Sequence, residues 1–304
     1  MRVLVFGSTG QVGRALAHTV WPAGCALTFL DRKAADFSQP FALGEVIECH
    51  RPDAVVIAAA YTHVDKAESE EALATTINAT APGAIAEACA GLSIPVVHLS
   101  TDYVFDGEKA GPYDENDPVA PIGAYGRSKL AGEVAVRQAN PRHLVLRTSW
   151  VYDSAGTNFL LTMLRLAECR DEVCVVADQV GCPTAAADIA DAIARILPTS
   201  LADEGTYGTY HMAGSTSVSW HGFAEAIFEN LAGRGMRRPR NRPITTAEYP
   251  TPGRRPKNSR LACEAFGRIF GFRLRGFEAA MPRVLDQALA SMDLSATPRC
   301  ELAQ

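Results

Sequence analysis

In the first half of the chain, apolar residues gather into short β-branched runs, and the stretches between them repeat at helical spacing. The runs are "RVLVF" (2–6), "ALTFL" (26–30), "AVVIA" (54–58), "PVVHLS" (95–100) and "HLVLRT" (143–148). Between them lie "QVGRALAHTV", "FALGEVIECH", "TTINATAPGAIAEACAG" and "SKLAGEVAVRQA". Strand-like and helix-like segments in alternation predict βαβ units. The fold class is therefore α/β, with a Rossmann-type, doubly wound parallel sheet. The runs are almost wholly apolar, as expected of strands covered by helices on both faces.

Beyond residue 150 the rhythm loosens. "DEVCVVADQVGCPT" reads as a strand entering an irregular turn, "AAADIADAIARIL" as an amphipathic helix, and "SVSWHGFAEAIFENLAG" as a serine-capped helix. The segment "RGMRRPRNRPITTAEYPTPGRRPKNSRL" is rich in Pro and Arg with little periodicity. It is expected to be an ordered functional loop or a mobile lid. "FEAAMPRVLDQALASM" predicts a final helix, and the last few residues are expected to fray.

The bulk numbers narrow the class. A chain of 304 residues, 47% hydrophobic, has ample core for one large or two smaller domains. With 29 basic and 34 acidic residues the net charge is −5, which argues against a nucleic-acid binder held by phosphate contacts. No run is long enough to span a bilayer, and the N-terminus has no signal-peptide pattern. None of the eight cysteines forms Cys-x-x-Cys or clusters with His at zinc spacing. Reduced, mostly buried thiols and a cytoplasmic location are expected.

Gly7, Gly10 and Gly13 fall directly after the first strand and run into the first helix. Glycines there allow a sharp turn and close backbone approach, and a helix N-terminus offers free N–H groups to a pyrophosphate. Asp31 ends the second strand, where an acid can bond a ribose diol. Arg32 and Lys33 follow and could pair with a 2′-phosphate, which leaves NADH and NADPH both open.

Ser100 and Thr101 close the fourth run, at the end of a parallel strand where such sheets place ligands. Then comes "YGRSKLAGE", with Tyr125 and Lys129 four residues apart on one helix face. A phenol has an ordinary pKa of about 10, and a nearby ammonium should lower it toward the useful range. Hydroxyl, phenol and ammonium are the parts needed to protonate an oxygen while hydride attacks its carbon. Leu130 and Val134 are left for core packing.

These marks resemble the extended short-chain dehydrogenase/reductases, and within them the branch that reduces dTDP-linked 4-keto sugars. The resemblance also rests on "GSTGQVG", "RPDAVVIAAAYTHVDKAESE", "STDYVFDG", "RTSWVY", "DQVGCPT" and "RRPKNSRL". It implies an oxidoreductase that passes hydride from NADPH or NADH to C4 of a dTDP-linked 4-keto-6-deoxy-L-sugar, giving dTDP-L-rhamnose. Residues 1–150 would form the NAD(P)-binding domain, and 151–304 mainly the substrate-binding part, with some segments returning to the first.

By the same resemblance Tyr125 is the proton donor, Lys129 bonds the nicotinamide ribose and tunes it, and Thr101 bonds the carbonyl. Gly7, Thr9, Gly10, Gln11, Val12 and Gly13 form the pyrophosphate loop. Asp31 and Arg32 meet the adenine ribose, Asp36 and Phe37 lie near adenine, and Ala60, Tyr61 and Thr62 run beside the cofactor. Val64, Asp102 and Trp150 face the sugar, and Arg255 neutralises the diphosphate. His63, His98 and His211 are expected to pack or bond backbone.

Some members dimerise through Mg²⁺ held by a carboxylate of the first helix. Here that helix has no Asp or Glu, so no metal is expected, and the chain is a monomer or homodimer. Two other classes remain open: a non-catalytic nucleotide-binding regulatory subunit of the same fold, which need not keep Thr101, Tyr125 and Lys129, and a related nucleotide-sugar ketoreductase or epimerase.

Overall fold

The computed structural model describes residues 1–293; the fraying expected of the last few residues lies outside the described residues. The first half is built from β1 (Arg2–Phe6), α1 (Gln11–His18), β2 (Ala26–Leu30), α2 (Leu43–His50) and β3 (Ala54–Ile57). It continues with α3 (Val64–Ala67), α4 (Glu71–Thr75), α5 (Ala81–Gly91), β4 (Val96–Thr101), α6 (Ala124–Ala139) and β5 (His143–Thr148). The second half adds β6 (Val151–Tyr152), α7 (Phe159–Cys169), β7 (Glu172–Val176), β8 (Val180–Gly181), β9 (Thr184–Ala185) and α8 (Ala186–Ala202). Then follow β10 (Gly208–His211), β11 (Val218–Ser219), α9 (Trp220–Ala232), β12 (Arg240–Ile244), α10 (Glu264–Phe270) and α11 (Phe277–Asp293).

Six strands form one parallel sheet in the order β10-β5-β4-β3-β1-β2. The order reverses between β1 and β3, which opens a crevice at the carboxyl ends of those strands. Phe6 stands opposite Leu30 on one side and Ile57 on the other, so β1, β2 and β3 end level. β4 runs three residues further, to Thr101, which pairs in register with Thr148.

Alternate residues of these strands feed two cores. Val3, Val5, Val56, Val97 and Leu146 pack with Leu16 of α1 and Ile189, Ile193 and Ile196 of α8. Leu4, Phe6, Val55, Ile57 and Val145 pack with Ile47 of α2, Ile85 of α5 and Val136 of α6. Thus α8 and β10 come from the second half yet belong to this sheet. A third core joins α7, α9 and α11 through Leu160, Leu164, Phe223, Ile227, Phe228 and Leu285.

Two local readings of the pattern need correction. The segment from 234 to 261 is more than a loop: it contains β12, which pairs in parallel with β7. Its exposed positions carry Arg240 and Arg242, which pair with Glu172. The pattern hides this strand because both outward residues are charged and Pro243 interrupts the run. On α6, Leu130 is partly buried, but Val134 is 36% exposed. The face turned inward is instead Gly126, Ser128, Lys129, Gly132, Glu133 and Val136.

The small residues on that face matter sterically. A Cβ on Gly132 would lie 2.0 Å from the Asn78 carbonyl oxygen, and one on Gly126 would lie 2.2 Å from that of Tyr103. Helix α6 therefore seats directly on neighbouring backbone, which fixes the height of Tyr125 and Lys129 relative to β4.

Candidate active site

Gly7 follows β1 with φ of +90°, a conformation that favours glycine, and a Cβ there would lie 2.5 Å from the Ala59 nitrogen. A Cβ on Gly13 would lie 2.1 Å from the Gly7 carbonyl oxygen, so α1 starts hard against the turn. Gly10 caps α1 with no side-chain hydrogen bond, and only the Gly7 oxygen comes near its vacant Cβ position. The first N–H groups of α1 are left for an anion. This cradle fits a dinucleotide pyrophosphate. Thr9 is exposed, and Val12 is buried in the core. Arg14 binds the Thr9 carbonyl at 2.6 Å and Asp153 at 3.2 Å, and Asn158 donates to the Gln11 side chain at 3.0 Å. These bonds tie the turn to the second half of the chain.

Asp31 spends one carboxylate oxygen on the backbone N–H groups of Lys33 and Ala34. Arg32 is exposed and pairs with Asp36 at 3.5 Å. Phe37 sits in the core, edge-on to Phe6 at 5.6 Å, so its ring is committed to packing. Across the crevice, Ala60 and Thr62 flank a buried Tyr61, whose N–H donates to Asn78 at 2.8 Å.

Thr101, Tyr125 and Lys129 are brought together at the end of β4. The Lys129 ammonium is 2% exposed and donates to the Leu99 carbonyl at 2.6 Å. Burial pulls its pKa down to about 8, against the attraction of Glu133. The phenol departs from the sequence expectation. Burial pushes Tyr125 up to about 12, a hydrogen bond with Thr101 opposes this, and the Asp102 charge adds to it. Loss of solvent around the phenol outweighs its stabilising partners.

Beneath this group lies a charged network. Glu133, fully buried, accepts two hydrogen bonds from Arg147 (2.8 and 2.7 Å), one from Ser100 (2.6 Å) and one from Arg137 (3.1 Å). Burial alone would raise its pKa, but Arg147, Ser100 and Arg137 together hold it below the ordinary value. His98 is fully buried, and desolvation with the Lys129 charge keeps it neutral. His211 is also buried: one ring nitrogen is 3.0 Å from the Tyr113 carbonyl, and burial lowers it to about 4. His63 is exposed at the start of α3.

Asp102 is buried beside Thr101. It is 2% exposed, with Thr101 donating to one oxygen at 3.0 Å and Ser149 to the other at 2.9 Å. Burial pushes it up to about 6, against hydrogen bonds from Ser259, Ser149 and Thr101. Beside Tyr125 a narrow cleft is lined by Val64, Tyr103, Ile122, Gly123, Arg254 and Pro256, among others. Arg255 stands at this rim with its fork bonded to Asp65, 2.9 Å to each oxygen. Trp150 holds a left-handed φ of +48°, a strained state for a bulky side chain.

The family model described as the RmlD substrate binding domain matches residues 1–290. The chain belongs to the dTDP-4-dehydrorhamnose reductase family. A reductase of that name from Sinorhizobium fredii is 48% identical over 292 residues, 94% of this chain and 97% of the relative. A Clostridium acetobutylicum dTDP-4-dehydrorhamnose reductase structure superposes with a TM-score of 0.89 at 34% identity, covering 96% of this chain and 100% of that one. The Bacillus anthracis reductase, solved in complex with NADP, gives 0.87 at 36%, covering 94% and 99%.

The chain is thus an oxidoreductase of the extended short-chain dehydrogenase/reductase class, and several of its site residues were not singled out from the sequence. Asn78 lies in a π-helical turn, Thr76–Thr80, between α4 and α5. It donates to Ser128, 2.9 Å away, and to the Tyr61 carbonyl at 3.0 Å. It thereby links the cofactor-side segment to the turn between Tyr125 and Lys129. Glu68 accepts the Ala124 N–H at 2.8 Å and caps α6 from a distance. The mid-helix π turn has no composition signal; "RTSWVY" did hold a signal for Ser149, eclipsed by its tryptophan. Among the described residues, no group of three His, Cys, Asp or Glu side chains could hold a metal ion, and no helix is long and apolar enough to cross a membrane.

Proposed function

We propose that this enzyme reduces the C4 carbonyl of dTDP-4-dehydro-L-rhamnose to give dTDP-L-rhamnose in the cytoplasm. The observation that carries the reading is the convergence of Thr101, Tyr125 and Lys129 beside an uncapped glycine-rich turn at the crevice. NADPH or NADH, bound along that turn, supplies the hydride. Gly7, Thr9, Gly10, Gln11, Val12 and Gly13 would hold its pyrophosphate, Asp31 and Arg32 its ribose, and Ala60, Tyr61 and Thr62 its inner edge. Residues 1–150 make the larger share of this cradle and carry Trp150 toward the sugar, while the C-terminal part brings Arg255 to the diphosphate.

With a pKa of about 12, Tyr125 remains a phenol across neutral pH and is ready to give its proton to the O4 that becomes negative. Thr101, whose one hydroxyl proton goes to Asp102 in the free enzyme, would turn that proton to the oxygen and steady it. Lys129 keeps a positive charge near the phenol as its proton leaves. Its ammonium has Glu133 and the neutral His98 as neighbours, and it is charged below a pKa of about 8. Raising the pH through that value removes the charge. We therefore expect kcat/KM to be level near pH 7 and to fall above about pH 8, by about tenfold per further unit. A profile still flat two units higher would remove Lys129 from this role.

The test of the reading is a panel of dTDP- and UDP-linked 4-keto sugars with NADPH and NADH. Net cofactor oxidation with the dTDP-6-deoxy sugar is expected. No net consumption would point to an epimerase that recycles hydride, and no turnover with any sugar to a regulatory subunit.

A further inference from the structure

Trp220 has no assigned task. Its ring stacks on Trp150 with centroids 3.4 Å apart and planes within 5°. Phe159 packs behind it at 4.6 Å, and Phe159 in turn stacks on Phe223 of the third core. The indole of Trp150 is confined from another direction by Gly181, where a Cβ would lie 2.4 Å from Cε2 and 2.6 Å from Nε1. One small ribbon delivers both constraints. β8 and β11 pair antiparallel with Val218 opposite Gly181, and Trp220 follows β11 at once. Ser219 fixes that step by capping α9, its hydroxyl accepting the Gly222 N–H at 3.0 Å.

The constrained residue is the one whose backbone is strained. A left-handed tryptophan persists only where its surroundings hold it, and such strain gathers at ligand sites. Trp150 follows Ser149, which donates to Asp102, and it lies two residues past Thr148, the register partner of Thr101. Any slack in the indole would therefore be felt beside the carbonyl-binding hydroxyl. Both tryptophans are half-buried, so the stack reaches the surface and is not sealed in the core.

We propose that Trp220 is a positioning residue that clamps Trp150 as a rigid aromatic wall for the sugar of the nucleotide substrate. The proposal rests on the functional reading above, in which Trp150 faces the sugar. The clamp shapes the sugar subsite and leaves the cofactor cradle on the other strands untouched. Its loss should therefore raise KM for the sugar nucleotide while sparing NADPH binding and most of kcat.

The measurement uses the full chain with Trp21, remote from the site, replaced by Phe, so that only the stacked pair reports. In that background, the far-ultraviolet circular dichroism should show an exciton couplet, which Trp220→Leu abolishes. Trp220→Leu should raise KM for dTDP-4-dehydro-L-rhamnose about tenfold, the worth of one good aromatic pair, with kcat within about threefold. Trp220→Phe, which keeps a ring, should restore KM to within about threefold. An unchanged KM in Trp220→Leu, or an equal loss of kcat and NADPH affinity, would each overturn the clamp. If the native enzyme turns over no sugar nucleotide at all, the functional reading falls, and the clamp's role falls with it.

Discussion

Tyr125→Phe is expected to lose about a thousandfold in kcat while keeping its dissociation constant for NADPH within about twofold. The phenylalanine ring fills the same space against Tyr103, which packs edge-on at 6.0 Å. What disappears is a single proton. General acid catalysis by one positioned group is worth about a hundred- to ten-thousandfold. Here the phenol is half-buried at the cleft and its pKa is pushed up to about 12, so it holds its proton until the oxygen takes it. Stopped-flow turnover alongside fluorescence titration of NADPH separates the two effects. Near-native kcat in Tyr125→Phe would show that the proton comes from elsewhere.

Glu133→Ala carries the largest expected effect on stability. The carboxylate accepts four hydrogen bonds with no solvent in contact, and Arg147, only 3% exposed, has both arms of its fork spent on it. Removing the acid leaves a buried guanidinium unpaired, which costs about 3–5 kcal/mol. For a chain of this size that lowers Tm by about 5–8 °C. The sign of the pH dependence follows. The folded-state pKa of Glu133 is lowered, so the stability it contributes is present above the ordinary carboxylate range. That stability is lost as pH falls through the folded value. Native protein should therefore approach Glu133→Ala in Tm as the solution is acidified, a convergence that thermal denaturation across pH would show. A constant gap would assign the effect to packing alone.

The same residue shows where sequence reading stops. Five of the six strands of the main sheet and their covering helices are legible because helices bury both faces, so apolar runs stand out between helical spacings. β10 is not, since "GTYH" is short and half polar, and only its pairing with β5 puts it in the sheet. On α6 the usual rule inverts. The helix buries Lys129 and Glu133 and exposes Val134, because the inward polar groups are satisfied by Leu99, Arg147 and Ser100. A hydrophobicity pattern assigns such residues to the surface.

The site itself divides in the same way. Glycines, a Tyr–Lys spacing and a hydroxyl at a strand end are local features, and the structure brings Thr101, Tyr125 and Lys129 into one place. Asp102 also looked local, adjacent to Thr101, and its buried carboxylate is shared between the hydroxyls of Thr101 and Ser149, the second of which no spacing rule announces. Phe37 likewise goes to the core beside Phe6. Arg255 reaches Asp65 across 190 residues, and Trp220 reaches Trp150 through an intervening ribbon. No spacing rule could pair them, because each contact depends on how the C-terminal part folds back over the sheet.

The most direct measurement is the fate of the hydride. Incubated with dTDP-4-dehydro-L-rhamnose and NADPH carrying deuterium at the transferable position, the enzyme should yield dTDP-L-rhamnose with one deuterium at C4, consuming one cofactor per sugar. The position and configuration of the label are read by NMR. Product without deuterium at C4, or no consumption of cofactor, would contradict the account.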